Sequence, residues 1–167
     1  MNATSLECDP WLCPQIREYP VNLQYEMRCA YLKADPYQPK RKEYPASGLE
    51  NHHRRFQASW FKIYSTWLEY LPSKNAIFCH PCYIFAKQAT RCPGLDAFTV
   101  KGFNNWKKVN NGVNCPLMRH VGKDSNSSHK IAVRCCDDLK NNSYHIGKLI
   151  ENNDYKKWRI IGYGSKP

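Results

Sequence analysis

Two cysteines three positions apart carry the clearest chemistry in the sequence. Cys79 and Cys82 form a Cys-x-x-Cys pair, a spacing at which the backbone can turn and direct two thiolates at one Zn²⁺ ion. Zinc in proteins is usually held by four ligands in a tetrahedron, so this knuckle would supply half of a site. The same spacing also serves redox chemistry, and alone it is weak evidence in a chain with nine cysteines. The prediction of zinc therefore depends on two further ligands downstream.

The downstream ligands have to be chosen among seven cysteines and histidines: Cys92, Cys115, His120, His129, Cys135, Cys136 and His145. We favour His120, which ends a predicted helical turn, and His129, which begins a predicted helix capped by Ser127 or Ser128. Apolar residues of that helix fall near the face of His129, namely Ala132, Val133, Cys136 and Leu139. This pattern directs His129 inward, and His145 is the reserve ligand.

A predicted β-hairpin leads into the knuckle. Residues 67–71 and 76–78 are rich in strand-forming side chains, and the Pro-Ser-Lys-Asn sequence at 72–75 is typical of a turn. Aromatic residues at spacings of three and four predict a helix over 57–65, and we expect a third strand or an aromatic anchor at 83–86. The sequence therefore predicts a small α+β zinc-binding domain, with a β-hairpin, a Cys-x-x-Cys knuckle and short helices, preceded by an extended Pro-rich leader.

Positive charge is concentrated in the middle of the chain. The formal net charge is +11, and residues 51–150 carry 15 Lys and Arg against five Asp and Glu. A basic domain is typical of nucleic-acid binding, because each neutralised phosphate releases condensed counterions. On charge alone, a solvated basic surface is an equally good interpretation. We expect a helix at 104–110 with a basic face, and the candidate phosphate contacts are Arg54, Arg55, Lys101, Lys107, Lys108, Lys123 and Lys130.

Separated motifs between Arg55 and Ile146 also carry a family resemblance. They include Arg55-Phe56, Trp60-Phe61, Tyr64, Trp67-Leu68-Glu69-Tyr70, Phe78-Cys79-His80-Pro81-Cys82-Tyr83-Ile84-Phe85, Asp96-Ala97-Phe98-Thr99, Gly102-Phe103-Asn104-Asn105-Trp106-Lys107-Lys108, His120, Ser128-His129-Lys130 and Cys136-Asp137-Asp138-Leu139. Together they resemble the TTF-type zinc finger near the amino end of hAT-like transposases and transposase-derived proteins, many of them in plants. The resemblance implies zinc bound by two Cys and two His, and DNA binding.

We expect three segments along the chain. Residues 1–50 form the leader, which contains six of the eleven prolines and has room for one short helix at 22–33. Residues 51–147 form the TTF-type zinc finger domain, and residues 148–167 form a polar C-terminal tail. In hAT-like transposases a catalytic region with an acidic triad follows the finger. The tail does not look like the start of that region, so we expect a derivative truncated before it.

No catalytic residue is predicted. The acids within residues 51–150 are Glu69, Asp96, Asp124, Asp137 and Asp138, and no three of them suggest a two-metal site. We therefore expect a nuclear, Zn²⁺-dependent DNA-binding module without enzyme activity or a small-molecule substrate. The alternatives are a zinc-stabilised protein-interaction module and a thiol redox protein that uses Cys79 and Cys82. No run approaches the roughly 20 apolar residues that a membrane-spanning helix needs.

Overall fold

The computed structural model describes residues 15–48, 52–85, 96–109 and 111–141. Short helices and strands alternate along this part of the chain, which gives a small α+β fold. The elements are α1 (Val21–Ala34), β1 (Ala46–Ser47), β2 (Arg54–Arg55), α2 (Ser59–Ile63), β3 (Leu68–Leu71), β4 (Ala76–Cys79), α3 (His80–Phe85), α4 (Asp96–Thr99), α5 (Pro116–Val121) and α6, which begins at residue 128 and is described as far as 141. Within the described ranges, 3-10 helices lie at Ile16–Glu18, Trp106–Lys108 and Gly112–Asn114.

The predicted hairpin is present at the centre of the fold. Strands β3 and β4 pair antiparallel, with Leu68 opposite Cys79 and Leu71 opposite Ala76, and every residue in both strands is buried. Asn75 adopts the left-handed conformation (φ 46°) that the turn requires, which asparagine tolerates better than most residues. Strands β1 and β2 form a second antiparallel pair, in which each strand is two residues long.

The chain after β4 is helical, so a third strand, one of the two alternatives expected at 83–86, is wrong. The other alternative, an aromatic anchor, agrees with the burial of Tyr83. Helix α3 follows Cys79 directly and includes residues 83–85, while residue 86 lies outside the described part. Its first five residues are all buried, and a run that is apolar on every side does not distinguish a strand from a short buried helix. The knuckle is therefore a strand end followed by one helical turn.

The other predicted helices are present with different lengths. Helix α1 matches the one expected at 22–33, and α2 lies inside the range 57–65. The basic helix expected at 104–110 is only the 3-10 turn Trp106–Lys108. Asparagines on both sides of this turn favour turns and caps over helix interiors, which explains the difference. Among the described residues, no helix is long and apolar enough to cross a membrane.

The core is built around one aromatic side chain, Phe56. Its ring lies 4.7 to 5.8 Å, between centroids, from five other aromatic rings: Tyr44, Trp60, Phe61, Tyr70 and Trp106. Such ring pairs add about 0.5–1.5 kcal/mol each beyond the area that they bury. This aromatic core joins the β2 region and the 3-10 turn at Trp106 to the central hairpin.

The described part of the leader packs against the domain, unlike the extended leader that the prolines suggest. Tyr44 belongs to the aromatic core, and the Tyr70 amide donates to the Tyr37 carbonyl at 3.0 Å, while the Gln38 side chain donates to the Leu68 carbonyl at 2.9 Å. A second apolar cluster joins the leader to α3 and α6 through Ile16, Tyr31, Leu32, Tyr83, Ile84 and Cys136. Prolines restrict helix formation, but they leave the residues between them able to cover β3.

Candidate metal centre

The four predicted ligands come together in the interior. The donor atoms of Cys79, Cys82, His120 and His129 all lie within 4.8 Å of one another. Nδ1 of His129 is 3.2 Å from Sγ of Cys79 and 3.7 Å from Sγ of Cys82, and Sγ of Cys82 is 3.6 Å from Nε2 of His120. Zn–S bonds of about 2.3 Å and Zn–N bonds of about 2.0–2.1 Å place sulfur and nitrogen about 3.5 Å apart around a tetrahedral ion. Three sulfur–nitrogen pairs therefore have about the spacing of a tetrahedral metal site, and the four donors lie close enough together to bind one ion.

The two cysteines are positioned by the junction of a strand and a helix. Cys79 is the last residue of β4, and Cys82 lies in the first turn of α3. Both side chains are almost completely buried, and they are thiols rather than a disulfide. The rigid hairpin behind Cys79 fixes the direction from which both sulfurs approach the centre.

The two histidines are positioned by a turn between α5 and α6. His120 lies in the last turn of α5, and His129 is the second residue of α6. The hydroxyl of Ser127 donates to the Val121 carbonyl at 2.7 Å and accepts the amide of Lys130 at 3.3 Å. Ser127 therefore caps α6, as predicted, and also ties it to the end of α5.

A glycine that was not among the predicted site residues allows the close approach inside this turn. Gly122 has a φ of +73°, and a Cβ atom at this position would lie 2.7 Å from Cβ of Ser127. Real Cβ atoms do not approach so closely, so any larger residue would separate the two histidine-bearing helices. The available sequence signal was a glycine two residues after the helical turn predicted to end at His120, a place where a residue with positive φ is common.

Aromatic rings surround the two imidazoles. The Trp67 ring centroid lies 5.5 Å from that of His120 and 5.2 Å from that of His129, and the Phe98 ring lies 4.3 Å from His120. His129 is buried and His120 is half-buried. Rings at these positions exclude water and restrict the orientation of the imidazoles, which strengthens the electrostatic attraction between an ion and its ligands.

The two thiols interact strongly with each other. A hydrogen bond with Cys79, and then those with His120 and His129, lower the pKa of Cys82 to about 4 against the opposing effect of burial. Burial and the neighbouring Cys82 raise the pKa of Cys79 well above the ordinary value. The geometry therefore favours one thiolate, on Cys82, in the absence of a cation. A bound metal ion would favour two thiolates, because a coordinated thiol is deprotonated.

None of the other described candidate ligands belongs to the metal centre. Cys115 is buried in the aromatic core, and burial raises the pKa of Cys136 to about 12, which keeps it a thiol. Cys135 is half-buried on α6, outside the centre. Nε2 of His80 lies 3.0 Å from the Tyr31 carbonyl, so His80 faces away from the knuckle. Two further candidates, Cys92 and His145, lie outside the described residues.

Six of the seven predicted phosphate contacts are exposed and Lys130 is half-buried, and they are not equally available. Arg55 forms an ion pair with Glu43, and Nζ of Lys130 donates to the Lys123 carbonyl at 3.1 Å. Within the described ranges, no side-chain partner is seen for the other five: Arg54, Lys101, Lys107, Lys108 and Lys123. The structure therefore narrows the seven candidates to five accessible cations.

One acidic side chain is buried beside the central hairpin. Glu69 is 3% exposed, and its Oε1 accepts the Tyr37 amide at 3.1 Å. No partner for its Oε2 is found in the described part of the chain. Burial raises the pKa of Glu69 to about 7, against the lowering effect of the Tyr37 amide. Glu69 thus holds the leader against β3, a role that the sequence analysis did not assign to it.

Comparison with known proteins finds one family match, to part of the chain. A family model described as DUF4371, ZMYM1/FAM200, RNase-like domain, matches residues 96–160. This domain is found in transposase-derived proteins. The match covers less than half of the chain and includes His120 and His129 but neither cysteine of the knuckle. No curated protein and no solved structure matches the chain significantly.

Proposed function

We propose that the chain is a zinc-dependent, TTF-type DNA-binding module derived from a hAT-like transposase. The observation that carries the proposal is the buried Cys2His2 cluster, whose measured sulfur–nitrogen separations are 3.2 to 3.7 Å. Two thiolates and two imidazoles in a tetrahedral arrangement suit Zn²⁺, and carboxylate ligands, which calcium and magnesium prefer, do not contribute to the cluster.

The zinc in this proposal is structural. Four protein donors fill the four positions of a tetrahedral ion, whereas catalytic zinc sites keep one position for water or substrate. Cys79 and Cys82 come from the hairpin side of the domain, and His120 and His129 come from α5 and α6. The ion would therefore join two parts of the chain that are far apart in sequence and would hold the domain together.

DNA is the partner that the charge distribution favours. The chain has a formal net charge of +11, and the described residues present five accessible cations among the predicted contacts. Clustered positive charge attracts the phosphate backbone without reading its sequence. The relation of residues 96–160 to transposase-derived proteins supports the same partner, and a DNA-binding role implies a nuclear location.

A protein-interaction module is the second candidate. Several large apolar side chains are exposed on the described surface, including Ile63, Val113 and Met118. Exposed apolar residues are common singly, so they favour a protein partner only if they form one patch. The redox alternative has less support, because the almost complete burial of Cys79 and Cys82 denies a second thiol access to either sulfur.

The proposal is tested by the salt dependence of DNA binding with and without zinc. We expect the zinc-loaded chain to bind duplex DNA with log K falling linearly with log salt, by about 0.9 for each phosphate neutralised. Chelation should abolish binding, and added zinc should restore it. A zinc-loaded chain that does not bind DNA, or whose binding is insensitive to salt, would contradict the DNA-binding proposal.

A further inference from the structure

A cleft separates β2 from the 3-10 turn Trp106–Lys107–Lys108 on the side of the aromatic core. Two cavities of about 430 Å³ each form it, and they share three lining residues, Arg54, Trp106 and Lys107. Cavities of roughly 300–1,000 Å³ are typical of ligand sites. None of the four residues of the metal centre lines either cavity, so this β2 cleft is a separate site.

Among the described residues, the charged lining of the β2 cleft has a single sign. Arg54 lies on β2, Lys107 lies in the 3-10 turn, Arg55 borders the cleft, and no Asp or Glu is found among the described lining residues. Arg55 is neutralised by Glu43, but Arg54 and Lys107 have no side-chain partner in the part of the chain that is described. A concave surface lined by like charges focuses the electrostatic field and favours an anion.

The uncharged lining of the β2 cleft supplies hydrogen-bond donors. The side-chain amides of Gln57, Asn104 and Asn105 line it, and all three residues are exposed. Trp106 is buried, and among the described residues its indole Nε1 has no acceptor. Guanidinium, ammonium and amide N–H groups around one cleft match a ligand rich in unprotonated oxygen atoms, which is the chemistry of a phosphate group.

We propose that the β2 cleft holds the sugar–phosphate backbone of duplex DNA, with Arg54 and Lys107 neutralising two phosphates. This inference rests on the proposed DNA-binding function and assigns its main contact to two of the seven predicted cations. Free phosphate offers the same oxygen atoms as a backbone phosphate, so the test has to separate these two sources.

The test compares two double variants of the full, zinc-loaded chain that lose the same charge. Arg54→Gln with Lys107→Gln removes the two cations of the cleft, and Lys33→Gln with Lys62→Gln removes two exposed cations elsewhere. Binding of a duplex of about 20 base pairs is followed by fluorescence anisotropy over a series of salt concentrations. The cleft variant should lower the steepness of log K against log salt by about 1.8, or about 0.9 for each of two phosphates. The control variant should leave this slope close to that of the parent.

The outcomes separate the cleft from the function on which it rests. Equal slopes for the cleft variant and the control, with normal binding by the parent, would overturn the cleft and leave DNA binding in place. Absence of binding by the parent would instead contradict the proposed function. If the double variant does not fold, Lys107→Gln alone still tests the cleft, and it should lower the slope by about 0.9.

A competition experiment identifies the source of the phosphate. Inorganic phosphate should displace DNA from the parent only as much as a chloride salt of the same ionic strength. Displacement by inorganic phosphate at much lower ionic strength would show a site for free phosphate and would overturn the assignment to the DNA backbone.

Discussion

The metal centre and the basic surface differ in how strictly the fold arranges their residues. At the metal centre, four donors from β4, α3, α5 and α6 converge within 4.8 Å. Of the seven predicted cations of the basic surface, Arg55 and Lys130 already have partners inside the protein. A tetrahedral ion requires one geometry, whereas a phosphate backbone can be met by cations in many arrangements. Donor spacing in a sequence is therefore a more specific signal than charge.

Removal of one metal ligand should have the largest effect of these changes. A small effect would contradict the strict geometry that distinguishes the metal centre from the basic surface. We expect Cys79→Ser to abolish metal binding and unfold the domain, because structural zinc contributes an apparent ~10–16 kcal/mol against a net stability of ~5–15 kcal/mol. Circular dichroism during heating, with metal analysis of the same samples, measures both effects. The matched control is Cys135→Ser, which changes a half-buried thiol outside the centre and should be mild. Equal tolerance of both changes would contradict a structural metal.

Buried and surface charge should also respond differently to pH. Burial raises the pKa of Glu69 from 4.5 to about 7, so the folded state binds more protons than the unfolded state between these values. Stability should therefore fall as pH rises through this window, with a cost of up to about 3 kcal/mol above pH 7. The Glu69→Gln variant cannot ionise at this position. Its free energy of unfolding minus that of the parent should therefore rise by up to about 3 kcal/mol between pH 5 and pH 8.

Urea unfolding of both proteins at several pH values, with zinc present throughout, measures this difference. Glu43→Gln, at an exposed side chain, serves as the control for the loss of one carboxylate. A difference between Glu69→Gln and the parent that does not change with pH would show that Glu69 is not a buried titrating group.

A substitution in the turn between the two histidines should have a smaller effect on the metal centre than the loss of a ligand. Gly122→Ala would place a Cβ atom 2.7 Å from Cβ of Ser127, whereas Gly112→Ala, also at a positive φ, would meet nothing within 4 Å. Gly112→Ala should cost about 1–2 kcal/mol for its positive φ. Gly122→Ala should cost up to about 3 kcal/mol, because a φ of 73° with a ψ of 155° lies in a region that glycine alone populates readily. Only Gly122→Ala should weaken zinc binding, by about 10–100-fold, as other changes that disturb the support of metal ligands do. Competition with a zinc chelator measures the affinity, and equal affinities would contradict this role for the turn.

The smallest expected effect distinguishes two lysines of the basic surface. Nζ of Lys130 is bonded to the Lys123 carbonyl, whereas no partner is described for the side chain of Lys107. Lys107→Gln should therefore lower the steepness of the salt dependence of DNA binding by about 0.9, and Lys130→Gln should lower it by less. Equal slopes for the two variants would show that the available charge is spread evenly over the surface.

Local sequence signals predicted much of the structure and the candidate site. The hairpin, α1 and the start of α6 at its Ser127 cap follow from strand-forming residues, turn residues and capping chemistry. The four donor residues followed from cysteine spacing, from helix ends and from the family resemblance. Each of these signals lies within a few residues of the feature that it predicts.

The features that were missed depend on contacts between distant residues. The apolar run at 83–85 is helical, but its own pattern fits a buried strand and a buried helix equally well. The close packing of Gly122 against Ser127, and the Tyr37 amide that orients Glu69, need the folded chain. Arg54 and Lys107 line one cleft although they are more than 50 positions apart in the sequence, so a count of charges could not select them.

The central claim is that the Cys2His2 cluster holds one zinc ion, and native mass spectrometry of the purified full chain tests it most directly. We predict one zinc per chain in the parent protein and none in Cys82→Ser or His120→Ala, since each variant loses one of the four donors. A parent chain that binds no zinc after reconstitution, or variants that bind it as well as the parent does, would contradict the account.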